Sequence, residues 1–465
     1  MNKKRPFGAA IGLAIAATSA HAEFKDPLPD SLSLGGVTLY GTLDVGYAYQ
    51  THGVPLNSQI TGGLEYQAFT TTRNFAGSVS TVAEAGLEFS KIGIRVKQPI
   101  SNDWSLVGRV EIGFNPLSGR LVDNCGSIEA NSGVKQGQQT ANADGNRCGQ
   151  FFSAEAYGGI GNAALGQLTI GRHDTLLFDA LGVYDPQARA PAFSFFGYSG
   201  AVGGSGSPQA GRWDNSAKYL FRSGVFHLGA LYSDGGKDSG LFGKAYSGDL
   251  GIAVQGLSAD AVYSNEKGAV TLRSSFNNPP NPLPTPGLAA YISDDTSYSL
   301  MGKYTFDLRQ QDRFIVYAGY AHIEKAHADY SGGQAQGGYQ INVAININNT
   351  LIYDTYWLGG KYVFSSGLNL VLGLYHITQN SWTIGHGTSG RQGIGCSTTG
   401  NLCAGDFYEA SFVADYVFNK HYDLYAGVNY SEVTDGLANG FPGTTVGTTG
   451  SENQTTFMVG GRVRF

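Results

Sequence analysis

The C-terminal stretch alternates residue by residue. Phe457, Val459, Gly461, Val463 and Phe465 share one parity, and Met458, Gly460, Arg462 and Arg464 the other. A period of two puts successive side chains on opposite faces of a strand. One face can then meet an apolar phase while the other meets water. The pattern recurs along the chain in stretches of roughly ten residues, the length of a tilted strand that crosses a bilayer. Beyond the N-terminal region, no apolar run approaches the roughly 20 residues of a spanning helix. The long helical periodicities of a soluble enzyme are also missing from the sequence.

Composition sharpens this reading. Charged residues make up 14% of the chain, against about 25% in soluble domains. The sequence carries 68 Gly, 27 Tyr and 25 Phe. An aromatic, apolar outer face alternating with a small, polar inner face accounts for all of this, and the expected fold is an all-β transmembrane antiparallel barrel.

Sixteen strands are predicted, near 37–50, 84–98, 103–115, 151–161, 164–173, 211–222, 224–233, 247–255, 257–267, 295–307, 313–324, 352–364, 368–379, 406–418, 422–433 and 454–465. An even number returns the chain to its starting edge, so the sheet can close without a bare edge in lipid. Sixteen strands enclose an aqueous lumen. The connections alternate between short (98–102, 223–224, 255–256, 365–367, 419–421) and long (51–83, 116–150, 174–210, 234–246, 268–294, 325–351, 380–405, 434–453). That asymmetry is typical of bacterial outer-membrane barrels. A soluble sandwich would need a turn every 8–12 residues or so. Tyr47, Tyr49, Trp104, Trp213, Tyr219, Tyr263, Tyr304, Tyr356, Tyr362, Tyr416, Tyr422 and Tyr430 lie toward strand ends on the apolar parity. They are expected to form girdles at the lipid boundaries.

The N-terminus reads as a secretory signal over 1–22. Lys3-Lys4-Arg5 precede an apolar stretch, and Ala20-His21-Ala22 offers the cleavage site. The apolar stretch is too short for a helical anchor. Residues 23–465 then form a single barrel domain. Removing the three signal bases leaves 27 Lys and Arg against 36 acids, which excludes a nucleic-acid binder with its basic stripe. Cys125, Cys148, Cys396 and Cys403 form an even set in an exported chain, which favours disulfides. Proximity favours Cys125–Cys148 and Cys396–Cys403 among the three possible pairings. The spacings fit no usual zinc pattern.

Val37-Thr38-Leu39-Tyr40-Gly41-Thr42-Leu43-Asp44-Val45-Gly46 resembles the opening strand of general Gram-negative porins. Ser90–Arg95, Leu168–Arg172, Arg212–Tyr219, Asp423–Val428 and the terminal Phe465 are similar to that family's second, fifth, sixth, penultimate and closing strands. The resemblance implies a homotrimeric outer-membrane channel for small polar solutes and ions, in contact with lipid and without a cofactor. The cysteine-bearing loops and Ile341–Asn349 depart from the family.

The resemblance also implies that the third long loop, 174–210, folds into the lumen. It carries Asp174, Asp179 and Asp185 against one base, Arg189. Its apolar run Ala192–Phe196 would be a liability if exposed. Strand parity points Lys91, Arg95 and Lys97, Arg109 and Glu111, and Arg212, Asp214 and Lys218 inward. Of these, Arg95, Arg109 and Arg212 match the family's basic cluster best. The expected constriction therefore comprises Arg95, Arg109, Arg212, Lys91, Lys218, Asp174, Asp179 and Asp185. Acids facing guanidinium groups across a narrow, low-dielectric passage focus a transverse field. The acidic net charge favours cations, whereas the basic wall favours anions at the narrowest point. The parity of Arg172 suggests that it meets a neighbouring subunit. Residues 155–157 cannot be oriented from pattern alone.

Enzymatic readings are weak. His322 and His327 have the wrong spacing for a helical zinc motif, and Gly200–Gly206 lacks the Lys-Ser/Thr of a phosphate loop. An outer-membrane barrel enzyme would need a lumen dyad, and none is visible. A substrate-specific channel of 18 strands is the alternative within transport, with Ile341–Tyr353 as an added hairpin. An adhesin rests on the long loops alone.

Overall fold

In a computed structural model, the described residues are 32–51, 78–101, 103–122, 151–197, 211–235, 244–273, 287–328, 335–336, 339–386, 404–435 and 452–465. The signal segment, the four cysteines and residues 198–210 lie outside them.

Sixteen antiparallel staves close into one barrel. They are β1 (Val37–Gln50), β2 (Val79–Glu84 continued by Lys91–Ser101), β3 (Trp104–Gly113), β4 (Ala156–Asn162), β5 (Gly166–Asp174), β6 (Arg212–Ser223), β7 (Phe226–Ser233) and β8 (Ala245–Val254), then β9 (Leu257–Arg273), β10 (Gly287–Asp307), β11 (Arg313–Ala326), β12 (Leu351–Val363), β13 (Leu368–Gln379), β14 (Gly405–Val417), β15 (Tyr422–Val433) and β16 (Glu452–Arg464). Each pairs with its successor. The ring is sealed by β16 against β1, from Thr42↔Arg464 to Gln50↔Thr456. Gly41 and Phe465 exchange backbone hydrogen bonds at 3.0 and 3.1 Å. No described helix is long and apolar enough to cross a membrane, a test that does not bear on strands.

The two faces follow the alternation. Outward side chains such as Leu300 (63% exposed) and Ile170 (67%) form an apolar surface, while inward ones such as Asp44 and Ser264 are buried and polar. The aromatic set lies on the outer parity with one exception. Trp213 is fully buried and donates from Nε1 to Glu266 at 3.1 Å. The register slips between Gly171 and His173 on β5, opposite Asn215 of β6 at φ 47°. A bulge of this kind re-aims the side chains beyond it, so Trp213 turns inward. Asp214 follows the slip, whereas Arg172 keeps its register opposite Ala156 of β4. Its guanidinium bonds Ala154 O at 3.1 Å and Ser153 O at 3.2 Å, and pairs with Asp214.

Short connections fit their turns. Gln255 and Gly256 both take positive φ (45° and 87°), as a two-residue hairpin of primed type requires. The segment Tyr339–Asn349 is a strand, but not part of an added pair of staves. It lies parallel to Gly287–Ile292 and antiparallel to Thr383–His386. Residues Arg313–Lys325 already pair directly with Leu351–Val363. That leaves no gap for two further staves, so the barrel has sixteen rather than eighteen.

Candidate functional site

The second stave is not continuous. Between Glu84 and Lys91 the chain bends, with Ala85 at φ 59°. Asp44 of β1 holds the bend: its carboxylate accepts from Leu87 N at 2.8 Å, Glu88 N at 2.9 Å and Tyr425 OH at 2.5 Å. The bend carries Glu88 beside Lys91, at 2.8 Å.

Along the inner face of β1–β4 the cations are interleaved with an aromatic ring and acids. The guanidinium groups of Arg95 and Arg109 lie 5.0 and 5.4 Å from the Tyr40 ring centroid. A ring between two guanidinium groups attracts both through its negative faces. Arg109 also meets Glu111 and Glu155, each at 2.6 Å, and donates from Nε to Tyr40 OH at 2.6 Å. Glu155 is therefore oriented inward. Tyr157 is too, since its ring stacks on His173 with centroids 4.8 Å apart.

After β5 the chain forms helix α1 (Leu176–Tyr184). Thr175 caps it, accepting from Phe178 N at 3.3 Å, a typical N-cap arrangement. Asp185 then anchors a tight turn. Its carboxylate accepts from Ser194 Oγ at 2.6 Å, Arg189 N at 2.7 Å, Gln187 N at 3.2 Å and Tyr375 OH at 2.5 Å. Burial pushes this carboxyl above the ordinary aspartate range, against the donors that favour its charged form.

The apolar residues of this segment are covered. Phe193, Phe195 and Phe196 are at most 2% exposed. Phe196 meets Trp357 and Tyr375 edge-on at 5.0 and 5.8 Å, and Phe193 meets Tyr425 at 6.3 Å. Gly427 makes room, because a Cβ there would come within 2.6 Å of the Phe193 ring. Polar ties reach many staves. Tyr184 OH donates to Asp260 of β9 at 2.8 Å. Trp357 Nε1 of β12 donates to Tyr184 O at 3.0 Å. Phe195 N donates to Glu409, and Gln187 Nε2 to Ser411, on β14, both at 2.9 Å. Ala192 N donates to Gly86 O of the β2 bend at 3.1 Å.

The expected constriction residues fall into three places. Lys91, Arg109, Arg212, Asp174 and Asp179 line one cavity of about 470 Å³, together with Glu88, Glu111, Arg189, Lys361, Asp415 and Arg462. Within it Arg212 Nε meets Asp174 at 2.7 Å, and Arg189 and Arg212 approach the Phe178 ring at 3.6 and 4.8 Å. Lys218 pairs with Asp179 and donates to Asp174 O at 2.8 Å. Arg95 sits farther along β2 toward the short turn, and Asp185 is buried beneath its own turn.

Sequence reasoning did not assign Glu88, Arg462 or Lys361 to this group. Glu88 depends on the bend in β2, which leaves no periodic mark. Arg462 and Lys361 share the inward parity of their strands, and that signal could have placed them. His322 and His327 do not converge: His322 bonds Asp354 and Glu324, and His327 bonds Ile347 O.

A family model described as Gram-negative porin matches residues 9–437. No curated protein sequence matches the chain. Among solved structures, the anion-selective porin from Comamonas acidovorans is 16% identical, with a TM-score of 0.58 over 92% of this chain and 99% of that one. OmpT of Vibrio cholerae in its trimer form is 15% identical, with a TM-score of 0.51 over 93% of this chain and 100% of that one. The outer membrane channel DcaP of Acinetobacter baumannii is 12% identical, with a TM-score of 0.50 over 92% and 97%. At these identities the likeness is one of fold, and the family rests on the model match: the chain belongs to the Gram-negative porins and is a protein of the outer membrane.

Proposed function

We propose that this porin is a passive, water-filled channel for small hydrophilic solutes and ions, not an enzyme. Its third long loop, entering at Asp174, folds into the lumen and forms the constriction. The observation that carries this reading is the span of the 174–197 segment. It is tied to inward side chains of β9, β12 and β14 and to the bend of β2. An opening of about 470 Å³ remains between its turn and the wall bearing Lys91 and Arg109.

Arg95, Lys218 and Asp179 extend the charged lining on the short-turn side, and Asp185 holds the turn in place. Six cationic and five acidic side chains line the opening. The small cationic excess supports a weak preference for anions, as the Comamonas acidovorans porin is described. Two observations support a homotrimer. One is the trimer form of Vibrio cholerae OmpT. The other is the aliphatic outer surface of β1–β5, where Leu39, Ile92, Ile94, Leu106, Ile160 and Ile170 are exposed.

Swelling of liposomes containing the protein in sugars of graded size tests the reading. Uptake should fall steeply with solute size without saturating. Failure of even a pentose to enter would contradict an open channel, and saturable uptake of one solute would contradict simple diffusion.

A further inference from the structure

A second cavity, of about 630 Å³, lies beneath helix α1 on the side of the short turns. Its wall holds His227 of β7, Asp249 of β8 and Asp260 of β9. One ligand atom from each lies within 4.8 Å of the other two, the one such group of three among the described residues.

Strand register produces this meeting. Gly251 of β8 stands opposite His227 on one side and Asp260 on the other. A Cβ at Gly251 would lie 2.1 Å from His227 Nε2 and 2.2 Å from Asp260 Oδ1. Glycine therefore leaves a notch across which the imidazole and the carboxylate approach to 2.8 Å. Asp249, two residues back on the same face, completes the group. Asp249 Oδ1 is buried and has no hydrogen-bond partner. Buried polar atoms are nearly always satisfied, so this oxygen calls for a ligand. Tyr184 OH donates to Asp260 at 2.8 Å and lies 2.6 Å from Ser258 Oγ. That contact orients the carboxylate from the helix side, as a partner behind a metal ligand would.

We propose that His227, Asp249 and Asp260 bind a divalent transition cation of the zinc class, with the remaining coordination open to the cavity water. An imidazole among the donors selects zinc-like ions over magnesium and calcium, which prefer all-oxygen sets. Two carboxylates balance the ion's charge. On binding, the cation replaces the His227–Asp260 hydrogen bond. The ion would stand on the short-turn side of the constriction, next to Asp179 and the pair it makes with Lys218.

The test is calorimetric titration of the full barrel in detergent with Zn²⁺, repeated in excess Mg²⁺. One Zn²⁺ should bind per chain with micromolar or tighter affinity, and Mg²⁺ should not compete. His227→Ala and Asp249→Asn should each weaken binding about tenfold or more, as should Gly251→Ala, which fills the notch. His376→Ala, on the outer parity of β13, should leave the affinity unchanged. Heat-shifted gel migration establishes that each variant retains the barrel. For a variant that fails to fold, the visible spectrum of the Co²⁺-loaded natural chain serves instead. Absorption of a nitrogen- and oxygen-ligated centre is expected, and its absence overturns the proposal. So does a lack of binding at millimolar Zn²⁺, or binding indifferent to both His227→Ala and Asp249→Asn.

Discussion

Asp44 is fully buried on β1, and two backbone N–H groups and the Tyr425 hydroxyl converge on its carboxylate. Removing it leaves those donors unpaired, at about 1–3 kcal/mol for each one that water does not reach. Asp44→Ala should therefore lower the temperature at which the barrel loses its compact gel migration, and Asp44→Asn should lower it less. Unchanged migration would mean that the bend of β2 stands without this anchor. At this scale the sequence was legible wherever alternation was regular. Lys91, Arg109 and Glu111 point inward as their parity requires. It was illegible at the bulges. Trp213 and Asp214 follow the slip at Asn215, and a single residue at φ 47° has no periodic signature. Glu155 precedes its strand, so only contact with Arg109 reveals its direction.

Among the elements, the 174–197 segment differs most from a surface connection. Its helix is capped, its turn is held by Asp185 and its aromatic residues are covered by the wall. The apolar run Ala192–Phe196 signalled burial, but nothing in the sequence said which staves would provide it. Those partners are scattered along the chain from Asp260 to Tyr425. Gly427→Leu should push Phe193 off β15, because even a Cβ would come within 2.6 Å of its ring. If the segment narrows the lumen, this variant should show a larger and noisier single-channel conductance in an otherwise intact barrel. An unchanged conductance would argue that the segment does not set the bore.

For the whole molecule, strand count and closure were readable because a sheet in lipid can leave no edge unpaired. Sixteen inferred strands correspond to sixteen staves, with ends displaced by up to eight residues where rims extend, as at Gly287–Asp307. Two further expectations fall on segments outside the described residues, and both are chemical. Mass spectrometry of outer-membrane material should find Glu23 as the first residue. Non-reduced peptides should link Cys125 to Cys148 and Cys396 to Cys403. A retained Met1, free thiols or crossed links would count against these assignments.

Charge at the proposed constriction, rather than net charge, is expected to govern what passes. Charges separated by more than about 10 Å are largely screened at 0.1 M salt, so distant rim charges should matter little. The direct measurement is the zero-current potential across a planar bilayer under a salt gradient. It would compare the natural chain, the double variant Arg109→Ser with Arg212→Ser, the variant Asp179→Asn and the rim variant Asp435→Asn. The natural chain should favour anions weakly. The double arginine variant should move the potential strongly toward cations, Asp179→Asn should move it the other way, and Asp435→Asn should barely move it. A rim substitution as effective as the arginine pair would contradict the assigned constriction and leave the barrel alone standing.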